Sequence, residues 1–191
     1  MTAVAEPAMP IVDEPIAAPA PQPAAVPYHE HEAKPRDVLI ICYSGELEKV
    51  WATIILASTA GAMGVKTRVF ATFWGLQPFV KDSRRITGQN WMQKMMSFMQ
   101  RPGISHRKLS KMNFLGMGPW MMGSLARKYN VASPKDLLAM AQELGVEFLP
   151  CQMTMDMYGL KPEDMIEGMA EPVGAATVIG LMADGSAPLF I

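Results

Sequence analysis

The chain carries DVLIICYSGELEKVWATIILASTAGAMGVKTRVFAT at residues 37–72. Its first part, 37–42, is a short apolar run with β-branched residues, which is typical of a buried parallel strand. Apolar residues then recur at helical spacing over 46–63, and Gly64 ends the predicted helix. A second strand is predicted at 66–72. A strand, a crossover helix and a second strand form a βαβ unit, whose connection is expected to be right-handed.

The alternation of strand and helix resumes near residue 133 and continues to Ile191. Ser133 followed by Pro134 is the expected order at a helix start, because serine caps the helix and proline fits its first turn. Three further strands are predicted at 146–149, 170–173 and 187–191, and three helices at 135–144, 162–169 and 175–183. The pattern indicates an α/β fold: a three-layer α/β/α domain with a mostly parallel sheet of about five strands.

Composition divides the chain at about residue 35. Residues 1–35 are rich in alanine and proline and lack a periodic apolar pattern, so they are predicted to be a disordered tail. The run HEHE at 29–32 is interpreted as solvated linker rather than a metal site, and the tail is a poor match to a signal peptide. Residues 36–191 are long enough for one α/β domain with a full-sized core.

The segment at about 81–128 interrupts the α/β pattern as a basic, methionine-rich insertion. It holds ten Lys or Arg residues and one acid, Asp82, whereas the rest of the chain holds seven basic and 17 acidic residues. This split favours an anionic partner or ligand near the insertion. Apolar residues recur at helical spacing at Trp91, Met92, Met95, Met96 and Met99, followed by MNFLGMGPWMM at 112–122. Such stripes are typical of core helices, but also of surfaces that repack around different partners.

Several functional classes find no support in the motifs of the chain. No run approaches the roughly 20 apolar residues that span a bilayer. Two cysteines are too few for a disulfide scaffold, so the cytoplasm is the expected location. The sequence contains no C-x-x-C pair, no phosphate-binding loop and no G-x-S-x-G motif. No nucleic-acid motif accompanies the basic insertion. Neither a metal nor an organic cofactor is expected.

Cys151 is the leading candidate for chemistry. It comes just after the predicted strand 146–149, in FLPCQMTMDMYGL at 148–160, and Cys42 ends the first strand. Ligands of open α/β sheets bind at the carboxyl ends of parallel strands, so both sulfurs are expected at the same edge. A helix that begins after Cys151 would favour its thiolate, whereas a nearby Asp156 would oppose it. The alternative is a packed, inert cysteine, since free cysteines are commonly buried.

Three stretches occur in the order IICYSGELEKVWATIILASTAGAMGVKTRVFATFWGL, MNFLGMGPWMM and FLPCQMTMDMYGL. Together they resemble the DsrE-like proteins of the DsrE/DsrF/DsrH superfamily. The likeness is greatest to the single-gene branch found with sulfur-oxidation genes and often labelled a peroxiredoxin family. The resemblance covers essentially all of residues 36–191. Its most specific parts are the Cys-x-Met-[Ser/Thr]-Met-Asp signature around Cys151 and the Phe-Trp-Gly-Leu turn at 73–76.

The resemblance implies a small α/β sandwich that forms homo-oligomers and carries sulfur on a cysteine, as a persulfide or thiosulfonate. It also implies TusA-like carriers and rhodanese-like donors as partners. Cys151 matches the sulfur-bearing cysteine of the family. The resemblance assigns no role to Cys42, which is interpreted as a second acceptor, a disulfide partner or a buried bystander. Phe73, Trp74 and Met153 are predicted to form an apolar wall around the persulfide, although each taken singly is typical of a core residue.

Three functional hypotheses come from these patterns. The leading one is a sulfur carrier or sulfurtransferase in which Cys151 accepts sulfane sulfur and relays it to a partner thiol. Anionic sulfur donors would be drawn to the basic insertion. The alternative is a non-enzymatic interaction protein that uses the insertion to bind a membrane surface or a partner protein. A thiol peroxidase is the third hypothesis, and it requires an arginine or threonine placed against the thiolate.

Overall fold

The computed structural model describes residues 37–83, 102–111 and 117–191. All of them belong to one unit of mutually contacting residues, Pro35–Ile191. The predicted tail at 1–35, the methionine stripe at 91–99 and the apolar residues at 112–116 lie outside the described residues. The predictions made for those stretches therefore stay predictions.

A parallel sheet lies at the centre of the described residues. Its strands are β1 Val38–Cys42, β2 Thr67–Ala71, β3 Glu147–Pro150 and β4 Ala187–Phe190, in the order β3-β2-β1-β4. Helix α1, Leu47–Ala62, connects β1 to the parallel β2, so the predicted βαβ unit is confirmed. The register pairs Cys42 with Ala71 and Ala71 with Pro150, which brings three strand ends to one edge, the carboxyl edge of the sheet.

Four more helices occur in the described part of the chain. They are α2 Met117–Lys128, α3 Pro134–Glu143, α4 Gln152–Tyr158 and α5 Ala175–Ala183. The start of α3 agrees with its prediction, because the Ser133 hydroxyl accepts a hydrogen bond from the backbone N–H of Asp136 at 3.2 Å. The predicted helix at 162–169 is wrong beyond a single 3₁₀ turn, Pro162–Asp164. Past that turn, the N–H of Ile166 donates to the carbonyl of Phe79 at 2.9 Å instead of to a carbonyl of the preceding helical turn. The backbone is therefore no longer helical there.

The predicted strand at 170–173 does not form a continuous ladder. The segment runs beside β3 and pairs with it at two isolated points, Phe148 with Met169 and Cys151 with Val173. Pro172 lies between those points and has no N–H to donate, which is a physical reason for the break. The described sheet therefore has four regular strands, and its mostly parallel α/β class is as predicted.

Helices cover the sheet on both faces, as the three-layer prediction requires. Residues buried on the first face, against α1 and α3, include Ile40, Ile54, Val69, Leu138 and Phe148. Residues buried on the second face, against α5, include Leu39, Phe70, Leu149 and Val178. Each large apolar side chain buried in this way contributes about 1.5–3 kcal/mol relative to an exposed one. The register and the alternation of side chains therefore assign each strand residue to one face.

Strand β4 forms an outer edge of the sheet, and proline occupies one of its outward-facing backbone positions. The N–H of Ala187 donates to Asp37 at 2.7 Å and the N–H of Ile191 donates to Ile41 at 2.9 Å, so alternate residues bond to β1. Pro188 lies at an intervening position, where an N–H would point away from the sheet. Proline removes that donor, which is a common protection of exposed edges.

Gly75 fixes the turn that follows β2. It lies in the 3₁₀ segment Phe73–Phe79, and its N–H donates to the carbonyl of Tyr43 at 2.8 Å. A Cβ atom at this position would overlap the carbonyl oxygen of Cys42 and lie 3.0 Å from the Cys42 sulfur. Only glycine allows the backbone after β2 to approach the end of β1 this closely. The position of this turn at the carboxyl edge therefore depends on Gly75.

We expect Gly75→Ala to lower the free energy of unfolding by about 3 kcal/mol, because the added methyl group overlaps backbone that cannot move without disturbing β1. The matched control is Gly180→Ala in α5, where a Cβ meets nothing within 4 Å. That change should raise the free energy of unfolding by roughly 0.5–1 kcal/mol, since alanine favours the helix. Urea denaturation followed by circular dichroism measures both. Equal stability of Gly75→Ala and the parent chain would contradict the described turn.

Candidate functional site

Cys151 lies at the carboxyl edge, where β3 ends and α4 begins. Its N–H donates to the carbonyl of Ala71 at 3.0 Å, which continues the pairing of β3 with β2. Its own carbonyl accepts from Met155 at 3.0 Å, so Cys151 is the N-cap residue of α4. The residue is 4% exposed and packs with the core of the second face. Backbone hydrogen bonds on both sides therefore hold the thiol in a fixed position.

Two threonine hydroxyls accompany the thiol. Thr72 directly follows β2, and Thr154 lies in the first turn of α4. Their oxygens are 3.3 Å apart, and both side chains are buried. The Thr154 oxygen also accepts a hydrogen bond from the backbone N–H of Phe73 at 3.0 Å. This bond joins the turn after β2 to the helix that begins at Cys151.

The surroundings favour the thiolate form of Cys151. Burial raises the pKa of the thiol, but the nearby hydroxyls of Thr154 and Thr72 and the N–H groups of Thr154 and Met153 together lower it by more. The net result is a pKa below the usual value. Hydrogen bonds that are made to the charged form favour that form. The sequence predicted that the start of a helix would lower the pKa of Cys151, and in the structure the hydroxyl groups of Thr154 and Thr72 lower it as well.

Cys42 lies at the same edge but on the opposite face of the sheet. It is fully buried in the core of the first face, whereas Cys151 belongs to that of the second. Cys42 aligns with Pro150 across two strand spacings, about 9–10 Å, beyond the roughly 7 Å Cα separation that a disulfide spans. Burial raises the pKa of Cys42 to about 11, against a smaller lowering by Thr53. The structure does not bring the two sulfurs together.

The three residues predicted as an apolar wall occupy different places. Phe73 adjoins the thiol through its bond to Thr154, has a positive φ of 47°, and its ring centroid is 5.7 Å from that of Tyr43. The exposed Met153 lies in the first turn of α4, and its N–H supports the thiolate. Trp74 packs its ring 6.1 Å from that of Tyr158, whose side chain belongs to the core of the first face. Met153 is therefore adjacent to Cys151 through its N–H, and Phe73 is connected to the site through Thr154.

Thr72 and Thr154 are the site residues that the sequence interpretation missed. Thr154 stands inside the Cys-x-Met-[Ser/Thr]-Met-Asp signature, so its hydroxyl was visible beside Cys151 in the sequence. Thr72 is 79 positions before Cys151, and only the pairing of β2 with β3 brings it to the thiol. The sequence signal for Thr72 was its position at the end of a predicted parallel strand, the edge where a site was expected.

Residues 37–83, 102–111 and 117–191 contain no cluster of three or more His, Cys, Asp or Glu side chains that could hold a metal ion. In the same part of the chain, no helix is long and apolar enough to cross a bilayer.

Comparisons with known proteins identify relatives over most of the chain. The family model described as the DsrE/DsrF/DrsH-like family matches residues 34–190. The chain is 36% identical over 152 residues to "Uncharacterized protein YrkE" of Bacillus subtilis, covering 80% of this chain and 94% of that protein. It is 31% identical over 159 residues to "Sulfur carrier protein DsrE2" of Allochromatium vinosum, covering 82% and 98%. A solved structure of a protein of unknown function, MTH1491 of Methanobacterium thermoautotrophicum, matches with a TM-score of 0.40 and 14% identity over 81% of this chain and all of that one.

We expect the alkylation rate of Cys151 to rise with pH through a midpoint below that of a free cysteine, about 8.5, because the thiolate is the reactive form. Restricted access of the reagent slows the reaction at every pH, whereas the midpoint follows the pKa of the thiol. Thr154→Val should move the midpoint to higher pH, since it removes a hydrogen bond to the thiolate. Iodoacetamide labelling mapped by peptide mass spectrometry measures this.

The matched control for the labelling experiment is Cys42→Ser, which should leave the midpoint of Cys151 unchanged. Cys42 itself should stay unlabelled in the folded protein up to about pH 10, since it is buried and its pKa is about 11. A midpoint for Cys151 at or above that of free cysteine would contradict the described hydrogen bonds.

Proposed function

Because this chain belongs to the DsrE/DsrF/DrsH-like family, we propose that it is a sulfur carrier that holds sulfane sulfur on Cys151 and passes it to the thiol of a partner protein. The observation that carries the proposal is the buried Cys151 thiol at the start of α4, beside the hydroxyls of Thr72 and Thr154, which lower its pKa. A relative described as a sulfur carrier, 31% identical over most of the chain, supports the same role.

Loading of Cys151 requires one displacement at sulfur. The thiolate attacks the sulfane sulfur of a polysulfide, thiosulfate or protein persulfide, and a new bond forms between Sγ and that sulfur. The bond within the donor breaks, and its electron pair leaves with the remainder of the donor. The reaction uses no external oxidant or reductant. Tetrathionate as donor would give a thiosulfonate instead: the thiolate attacks a sulfane sulfur, one thiosulfate unit stays on Cys151, and the other leaves as thiosulfate with the electron pair of the broken S–S bond.

The proposal extends to the partners and the setting of the reaction. TusA-like carriers and rhodanese-like donors are the partners that the family resemblance implies, within sulfur-oxidation metabolism. We also propose a homo-oligomer and a cytoplasmic location, where reducing conditions keep Cys151 as a free thiol. In this proposal Cys42 is a buried bystander, which its full burial and raised pKa support.

We expect incubation of the protein with polysulfide, thiosulfate or tetrathionate to add sulfur-containing mass to the intact chain. Cys151→Ser should abolish the gain, whereas the matched variant Cys42→Ser should retain it, because only Cys151 has a stabilised thiolate. Intact-protein mass spectrometry measures both. Loading retained in Cys151→Ser would overturn the proposal.

The same variants test the thiol peroxidase hypothesis. That hypothesis required an arginine or threonine against the thiolate, and Thr72 and Thr154 meet the requirement. A sulfur carrier without peroxidase activity should consume hydrogen peroxide no faster than free cysteine does at the same thiolate concentration. Consumption that is much faster, and lost in Cys151→Ser, would favour the peroxidase.

A second function, binding to an anionic membrane surface, is supported by helix α2. Gly118 is its one buried residue, while Met117, Trp120, Met121 and Leu125 are exposed, and Trp120 is 70% exposed. Arg127 and Lys128 occupy its last turn. Exposed apolar residues next to basic ones are typical of segments that bind the surface of anionic bilayers.

We expect the protein to sediment with vesicles containing anionic phosphatidylglycerol, and to do so less at high salt. Trp120→Ala should weaken binding roughly tenfold or more, since it removes a large apolar side chain from the interface. Ile179→Ala on α5 is the matched control, because Ile179 is 62% exposed on a different helix. Binding that is equal for neutral vesicles, or unchanged in Trp120→Ala, would dispose of this second function.

A further inference from the structure

We propose that a cavity beside the start of α3 binds a small organic anion, in which a carboxylate or phosphate group is joined to a flat apolar group. The cavity has a volume of about 470 Å³ and lies among α1, the turn Ile104–His106, α2 and the start of α3. Small-molecule sites in proteins have volumes of roughly 300–1,000 Å³. The residues that line the cavity do not include Cys151, so this site is separate from the thiol and independent of the proposed sulfur chemistry.

Small residues on one side of α2 leave room for a ligand. Pro119, Gly123 and Ala126 recur at helical spacing and line the cavity. A Cβ atom at Gly123 would meet one atom within 4 Å, a guanidinium nitrogen of Arg127 at 3.9 Å. The exposed apolar side of α2, which includes Trp120, is not part of the lining. The helix therefore has two distinct surfaces, and the one with small residues faces the cavity.

Positive charge predominates around the cavity. One lining residue is acidic, Asp136, and three are cationic: Arg107, Arg127 and Lys135. The Asp136 carboxylate is already engaged, because the Ser133 hydroxyl donates to it at 2.7 Å. Ser133 also lines the cavity and caps α3, so the end of that helix with partial positive charge lies at the same place. The lining therefore favours an anion.

The guanidinium of Arg107 is held in position by the fold. Its Nε donates to the carbonyl of Gly103 at 3.0 Å, and its Nη1 donates to Oε1 of the buried Gln77 at 3.0 Å. A cation that is oriented in advance loses less conformational entropy when it binds a carboxylate or phosphate. Burial lowers the pKa of Arg107 to about 10, against a smaller raising by Asp82. An anion bound beside the guanidinium would offset part of the cost of burying this charge.

The indole of Trp51 offers both an apolar ring and a hydrogen-bond donor. Trp51 lies one turn after Leu47 at the start of α1, and both residues line the cavity. The indole nitrogen Nε1 is shielded from water, and it has no hydrogen-bond partner among residues 37–83, 102–111 and 117–191. Buried indole N–H groups usually have an acceptor. A ligand that combines a flat apolar group with anionic oxygens would contact the ring and satisfy this donor.

Isothermal titration calorimetry on the full chain tests the site, with naphthyl phosphate and naphthoate as the anionic probes. Naphthol and inorganic phosphate are the matched partial probes, because each carries only one of the two features. We expect at least one naphthyl anion to bind with a Kd below about 1 mM, and about tenfold or more tightly than either partial probe. Equal affinity for naphthol and the naphthyl anions, or no binding of either anion, would overturn the inference.

Variants of α2 locate the bound probe. Ala126→Phe should abolish binding, because the added ring fills the space beside the helix. Trp120→Ala is the matched control, since it alters the exposed side of the same helix and should leave the affinity unchanged. Circular dichroism checks that each variant folds.

A second pair keeps the test decisive if Ala126→Phe does not fold. Lys135→Gln should weaken binding about tenfold, the effect of losing one hydrogen bond from a charged group. Lys128→Gln is its control, because Lys128 is also exposed but does not line the cavity. Affinity that is unchanged in Lys135→Gln, or lost in Trp120→Ala, would place the probe elsewhere and overturn the inference.

Discussion

The hydrogen bond from the Phe73 N–H to the Thr154 hydroxyl joins the two parts of the chain on which the site depends. One part is the turn after β2, which Gly75 allows to pass close to the end of β1. The other is the start of α4, where the N–H of Cys151 donates to the carbonyl of Ala71 and the carbonyl of Cys151 accepts from the N–H of Met155. Each part is fixed by the sheet, and this bond joins them beyond the pairing of β2 with β3. The two threonine hydroxyls and the backbone of Phe73 thus lie together beside Cys151.

The two cysteines illustrate how one sheet gives opposite properties to the same functional group. Both follow parallel strands that end at the same edge, but their side chains enter different faces. Cys42 lies in a core where burial dominates and raises its pKa. Cys151 is also buried, yet hydroxyl and N–H donors outweigh the cost of desolvation. Reactivity here depends on the hydrogen-bond donors within reach rather than on position along the edge.

Much of the fold could be predicted from the sequence, because its elements have local signals. The apolar run at 37–42, the helical spacing over 46–63 and the Ser133 cap are readable within a few residues. The prediction of a helix at 162–169 was wrong because the N–H of Ile166 donates to the carbonyl of Phe79, a contact between distant parts of the chain. Cys151 could be singled out from its neighbours, but Thr72 could not, since its contact requires the register of β2 and β3. The opposite faces of the two sulfurs have the same origin, because a shift of one residue in register reverses the side of the sheet.

Pro188 stands in β4, on one outer flank of the described sheet, while the segment that contains Val173 runs beside β3 on the other flank. A strand from a second molecule that approached β4 would meet a position with no N–H to offer. Growth of the sheet by addition of further strands, the route by which exposed edges promote aggregation, is therefore disfavoured at the β4 edge. At that edge, copies of this chain would meet more readily through side chains than strand to strand.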